Sequence, residues 1–274
     1  MSFEKLHIVA ISLSIVSFPA CLKRTTEPTV TKNIQHMNLE EAQFASAYYK
    51  KTGHLDLSAK ALERIITLST DHETSADALI RLADTHLELN KYEEAQKNYK
   101  EFQTLYPGNK LHTYAAYKEI IAHQKEIRPA YHDQAKTRQT IELCERFLEE
   151  FQDDEHAQEI IGIKDAGYKL LIEHEVIIIQ FYITKYHLEH NVKSLISAIK
   201  RLENLKKNII VHIFDKKSYE TVTTLINLLL DTYDPQNTTA QIHTLVELAE
   251  KILEKLFDEI YGGSSLSSFF IHRF

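Results

Sequence analysis

Two stretches of this chain repeat one another at a spacing of 37 residues, and that repetition limits the fold more than any single motif does. Residues 76–107, ADALIRLADTHLELNKYEEAQKNYKEFQTLYP, read as two amphipathic helices around a turn at Asn90 and Lys91. Leu79, Leu82, Ala83 and His86 share one face of the first helix, and Ala95, Tyr99 and Phe102 share one face of the second. Pro107 stops the pattern, because it cannot continue a helix. Residues 39–70 carry the same design, with Ser46 standing for Ala83, Tyr49 for His86, Ser58 for Ala95, Leu62 for Tyr99 and Ile65 for Phe102. The three extra positions fall in the connection around DHETS, where insertions are tolerated. A helix pair of this size cannot bury both of its faces alone, so stacking on a neighbour is required.

Further units follow. A third runs from Leu111 to Asp153; its second helix carries Ile141, Cys144, Phe147 and Phe151, and its two helices are separated by QKEIRPAYHDQ. A fourth runs from about Asp165 to Ile209, and its segment VIIIQFYI is apolar around more than one face, which predicts a helix buried between neighbours. A fifth, from Lys217 to about Phe257, is the least regular. Only 6 Gly and 5 Pro occur in 274 residues, so there is little material for tight turns and bulges, while Leu, Ile, Ala, Glu and Lys favour helix. The spacing of small and large residues resembles the tetratricopeptide repeat. That resemblance implies an all-α, right-handed solenoid of about five helical hairpins.

Several function classes lose ground. There are 32 basic against 39 acidic residues, a net charge of −7, so no basic face for a nucleic-acid backbone is expected. Fifteen histidines invite a search for metal, and His187 and His190 stand in HLEH. A helical zinc-protease motif places its histidines four residues apart, with glutamate directly after the first, and this spacing fails. Glu173, His174 and Glu175 are adjacent and so point about 100° apart on a helix. No glycine-rich phosphate loop, no Gly-x-Ser-x-Gly elbow and no paired cysteine motif occurs. We therefore expect no catalysis, no metal and no cofactor. Cys144 falls on a helical apolar stripe with Ile141 and Leu148 and reads as a lone buried thiol.

The other cysteine, Cys21, sits in IVSFPACLKR. Upstream of it, Lys5 precedes a mostly apolar run from Leu6 to Phe18, too short for a membrane span but of the length of a secretory signal. FPAC resembles a lipoprotein signal box, with Ala20 in the small position before the acylated cysteine and with Pro19 and Phe18 replacing the usual small and leucine-like residues. The expected organisation is a signal peptide at 1–20, a tether at 21–37, a repeat domain at 38–260 and a flexible tail at 261–274. In that tail, GGSSLSSFFIHRF, the glycines and serines cannot sustain a helix, whereas Phe269, Phe270, Ile271 and Phe274 offer an apolar tip.

Taken with five repeat-like units, EHEVIIIQFY and the triplet Arg201–Glu203, these features resemble the BamD family, over about residues 18 to 235. The family pattern is several residues shorter between Phe181 and Ala198. The resemblance implies a non-catalytic outer-membrane lipoprotein of the β-barrel assembly machinery, anchored by lipid on Cys21 at the periplasmic face. Its C-terminal units would dock the periplasmic domain of the barrel-forming subunit, and its N-terminal units would engage unfolded outer-membrane proteins. Tyr48, Tyr49, Arg81 and His86 are the candidate peptide-groove contacts; packing or ordinary solvation is the competing reading of each. Arg201 has no carboxylate three or four residues away along its helix, so its planar fork is a candidate for a carboxylate on the docking partner; a solvated arginine, or one paired across to a neighbouring unit, is the competing reading. A periplasmic tetratricopeptide adaptor for pilus secretion or wall synthesis remains the alternative. By analogy with lipoproteins, Leu22 after Cys21 favours the outer membrane, and two or three acyl chains anchor stably where one is marginal. Intact-mass measurement of the mature protein should show loss of residues 1–20 plus the mass of a lipid; an unmodified Cys21 thiol on a chain cleaved elsewhere would refute this.

Overall fold

The computed structural model describes residues 32–212, 216–234 and 238–261. The expected signal peptide, Cys21 and nearly all of the expected tail lie outside the described residues. Ten α-helices follow one another, and no strand occurs among the described residues. They are α1 Leu39–Lys51, α2 Leu55–Leu68, α3 His72–Glu88, α4 Tyr92–Leu105, α5 His112–Gln124, α6 Ala135–Glu150, α7 Ala157–Glu189, α8 Val192–Asn208, α9 Lys216–Thr232 and α10 Thr238–Tyr261.

Local chemistry sets these boundaries. Asn38 opens α1 with a reciprocal capping box: its side chain accepts from the Glu41 amide at 2.9 Å while Glu41 accepts from the Asn38 amide at 2.9 Å. Asp71 caps α3 by accepting from the Thr74 amide at 2.8 Å. The turns inside three units share one backbone device. Gly53 (φ 78°), Asn90 (φ 58°) and His190 (φ 49°) take the left-handed conformation that reverses the chain between α1 and α2, α3 and α4, and α7 and α8. Gly53 and Asn90 are 37 residues apart, so the sequence repeat extends to backbone geometry. Histidine tolerates this region less well than glycine or asparagine, and its neighbours must hold it there.

Each helix packs on the next in sequence, from α1 through α8. The repeat-equivalent pairs Ser46 and Ala83, Ser58 and Ala95, Leu62 and Tyr99, and Ile65 and Phe102 are all buried. Small residues let the helix pairs approach, and large ones fill the seam. The polar members are satisfied: Ser58 donates to the Ser46 carbonyl at 2.9 Å. Cys144 is buried as expected, and burial pushes its thiol up to about 12.

The structure corrects the sequence reading in four places. The tether does not run to residue 37: a 3-10 turn at Ile34–His36 packs on α2, Met37 is buried, and Arg64 Nε donates to its carbonyl at 3.1 Å. The first helix of the fourth unit starts at Ala157, about two turns before Asp165, because Ile160 and Ile163 already belong to the core formed with Ile120, Cys144 and Phe147. The segment VIIIQFYI is not buried all round; Val176, Ile179 and Ile183 are buried, whereas Phe181 faces outward. Finally, the fifth hairpin does more than extend the stack. Its second helix, α10, packs back on both α7 and α8, so that Ile179, Leu202, Ile226 and Leu253 join one core shared by four helices.

Helix α7 runs unbroken for 33 residues, about 50 Å. Two glycines in α7 have opposite roles. A Cβ on Gly167 would meet Ile141 Cγ1 at 2.8 Å, so the absence of a side chain sets the spacing of α6 and α7, whereas a Cβ on Gly162 would meet nothing within 4 Å. Chemical denaturation should show Gly167→Ala losing about 1–2 kcal/mol in spite of alanine's better helix propensity. Gly162→Ala should instead gain up to about 1 kcal/mol. Equal effects at the two positions would contradict the packing assigned to Gly167.

Candidate functional site

The first helices of the first three units, α1, α3 and α5, together with Ser58 and Leu62 of α2, line one polar cleft of about 220 Å³. Charged side chains bridge the units across it. Lys50 of α1 pairs with Glu88 of α3, and Arg81 Nη2 reaches Ser46 Oγ at 3.4 Å while its Nη1 pairs with Asp77 at 3.1 Å. Asp84 is the hub: its Oδ1 accepts from Tyr99 Oη at 2.6 Å and from Tyr114 Oη at 3.0 Å, linking α3, α4 and α5. Burial first, and then the adjacent Asp84 carboxylate, pushes both phenols above the usual tyrosine range, so they remain donors. Lys118 Nζ lies 5.5 Å from the Tyr114 ring centre and 5.7 Å from that of Tyr117. At the edge of the first unit Tyr48 stacks on Phe44, with ring centres 6.1 Å apart, and Phe44 is exposed.

The four groove candidates separate on inspection. Arg81 lines the cleft. Tyr48 is half-buried beside exposed Phe44, and Tyr49 is half-buried against the core of the first unit. His86 does not serve as a groove contact: it is buried, its Nδ1 meets Asn98 Nδ2 at 3.0 Å, and burial holds its imidazole below the usual histidine range. Asp84, Tyr114 and Lys118 were missed. Their side chains converge from separate helices, and only Tyr114 and Lys118, four residues apart, carried a local signal.

Arg201 is likewise a correction. Its carboxylate partner is Glu175 on the facing helix: Arg201 Nη1 lies 2.8 Å from Glu175 Oε2, and the guanidinium stands 5.9 Å from the Tyr182 ring centre. A search three and four residues along α8 cannot see a residue of α7. The neighbouring His174 Nδ1 meets the Ala130 carbonyl at 2.5 Å, which ties the connection between α5 and α6 to α7. A carbonyl only accepts, so Nδ1 carries the proton. Glu173–Glu175 and Arg201–Glu203 are thus positions where α7 is locked to its neighbours. A second cleft, of about 460 Å³, opens between α6, α7 and α8 and is lined by Glu142, Glu145 and Glu175 with Arg138; Tyr168 donates to Glu145 at 2.7 Å.

Among the described residues no group of three or more His, Cys, Asp or Glu is placed to hold a metal ion, and no helix is long and apolar enough to cross a membrane. Ten helices packed in neighbouring pairs define a tetratricopeptide-like helical solenoid. A family model described as YfiO, outer membrane lipoprotein, matches residues 40–209, more than half of the chain and nearly all of α1 to α8. The chain belongs to this family of outer membrane lipoproteins. No curated protein matches it.

The side chain of Arg201 is 35% exposed and that of Glu175 14% exposed, so the pair falls between a surface ion pair and a buried one. Arg201→Ala should therefore cost about 1–2 kcal/mol of stability, more than an exposed pair and less than a fully buried one. In a double-mutant cycle with Glu175→Gln, a coupling energy of about 1 kcal/mol is expected. A coupling indistinguishable from zero would show that the pair is incidental.

Proposed function

We propose that this lipoprotein is a non-catalytic scaffold of the machinery that assembles β-barrel proteins in the outer membrane, the BamD type within its family. Lipid on Cys21 holds it to the periplasmic face, and the residues before Ile34 act as the tether. The observation that carries the reading is the coincidence of the family match with the first eight helices, which contain the cleft between α1, α3 and α5. That cleft offers cations, carboxylates and phenols along successive units, a pattern suited to the alternating backbone donors and acceptors of an extended, unfolded barrel protein. Arg81 and Lys118 in the cleft are its peptide contacts, and Tyr48 and Tyr49 on α1, outside its lining, would extend them. Partner docking falls to the C-terminal units, where the acidic cleft between α6, α7 and α8 receives basic side chains of the barrel-forming subunit's periplasmic domain.

Extraction of the full-length protein in mild detergent, followed by capture, tests this. The barrel-forming assembly subunit should accompany it in near-stoichiometric amount. Recovery of pilus-secretion or wall-synthesis proteins without that subunit would replace the proposal with the adaptor reading.

A further inference from the structure

Helix α5 carries a second polar face besides the one that lines the cleft. His112, Ala116 and Glu119 recur at intervals of four and three and stand nearly half a turn around the helix from Tyr114 and Lys118, so they point away from the cleft. They form the floor of a cavity of about 390 Å³ between the second helices of two successive units. Lys100 and Gln103 stand on its α4 wall, and Leu143 and Arg146 on its α6 wall.

The group at the bottom of this cavity is a buried carboxyl. Glu119 is only 6% exposed, and among the described residues its side chain accepts one hydrogen bond, from the neutral amide of Gln103, whose Nε2 lies 2.7 Å from Glu119 Oε2. A carboxylate is seldom buried without a cation in contact. Burial holds the Glu119 carboxyl above the usual glutamate range, against the pull of Gln103, Arg146 and Lys100 toward the ionised form. Arg146 and Lys100 are exposed, and neither has a carboxylate within ion-pair distance among the described residues. The other titratable groups of the cavity, His112 and Glu150, lie 3.9 Å from each other, with His112 two turns from Glu119; His123 is one turn further along α5 in the other direction. With Glu119 protonated, two cations from facing walls are left without a counter-charge. With Glu119 ionised, its charge is buried against a neutral amide. An anion seated between the two cations resolves both conflicts.

We propose that the cavity between α4, α5 and α6 binds an organic carboxylate with a short apolar body, bridged by Lys100 from one wall and Arg146 from the other. The planar fork of Arg146 matches a carboxylate edge, and Lys100 adds a point charge from the facing helix. Glu119 takes up a proton as the anion enters and donates it in a hydrogen bond to the bound carboxylate, while its other oxygen keeps the bond from Gln103. The apolar body lies against half-buried Ala116 and Leu143. A free acid and the acidic side chain of a peptide offer the same group. The site is separate from the polar cleft and does not depend on the scaffold role proposed above.

Methyl-labelled full-length protein in mild detergent, titrated at neutral pH, tests this with two probes: 3-phenylpropionate, and a blocked tripeptide with a central glutamate. Saturable shifts of the Ile120 and Leu143 methyl resonances are expected, and the uncharged controls, 3-phenylpropanamide and the glutamine tripeptide, should give none. Binding of the free acid alone assigns a small-molecule ligand; binding of the peptide assigns an acidic side chain of a partner. Arg146→Gln and Lys100→Gln, both at exposed positions, should each weaken binding about tenfold. Glu119→Gln keeps an acceptor for Gln103 and supplies a permanent neutral donor, so it should bind about tenfold more tightly. Should that variant fail to fold, binding heats of the unaltered chain in buffers of different ionisation enthalpy should still report uptake of a proton. No shift with either probe, equal shifts with acid and amide, or full affinity in both cation variants would overturn the proposal.

Discussion

The missing side chain of Gly167 lets α7 approach α6 where an added Cβ would meet Ile141 Cγ1 at 2.8 Å. Much of the C-terminal half depends on that approach. On the N-terminal side of Gly167, α7 delivers Ile160 and Ile163 to the core of the third unit; beyond it, Leu171, Ile172, Val176, Ile179 and Ile183 enter the core shared with α8, α9 and α10. One helix thus belongs to two cores and fixes their relation. The ties from Glu175 to Arg201 and from His174 to Ala130 resist rotation of α7 about its own axis, which apolar packing alone would oppose only weakly.

Where function depended on the repeat, the sequence was informative, because repetition writes packing into spacing. Of the ten equivalent positions from Ser46 to Phe102, all but half-buried Tyr49 are buried as their periodicity predicts, and the turn at Asn90 and Lys91 is placed correctly. What could not be read lies between elements distant along the chain. Glu175 and Arg201 are 26 residues apart, Tyr114 and Asp84 are 30 apart, and Lys50 and Glu88 are 38 apart. His86 illustrates the complementary failure. Its place on the apolar face was visible, yet whether such a histidine faces a groove or a neighbour depends on Asn98, twelve residues away on the next helix.

The polar cleft presents side chains that are already organised by their neighbours. Its charges are already paired, Lys50 with Glu88 and Arg81 with Asp77, while Asp84 holds two phenols. Paired charges at a partly exposed site contribute little to folding, but they keep side chains extended and oriented, so an incoming backbone meets donors and acceptors whose ordering cost is already met. In the proposed role such a surface would read backbone rather than any single side chain, and so would suit clients that share extended conformation rather than sequence.

A stack of hairpins exposes an apolar face at each end, and each end must be closed. At the start, Met37 and the turn at Ile34–His36 cover α2, with Arg64 holding the Met37 carbonyl. At the other end, α9 and α10 do the work. The inner row of α10, with Leu245, Ala249, Ile252 and Leu256, is buried, while Glu247, Glu250, Lys251, Glu254 and Asp258 meet solvent. The family match ends at Ile209, before this hairpin begins. That boundary has a physical sense: covering an end asks only for an amphipathic helix pair of the right length, which many sequences satisfy, whereas the stacked units before it need small and large residues at set positions. The cover is also one-sided. Helix α10 meets the face of α7 that carries Ile179 and Ile183, and because a single helix can bury only one side of another, the row through Phe181 is left outside the core.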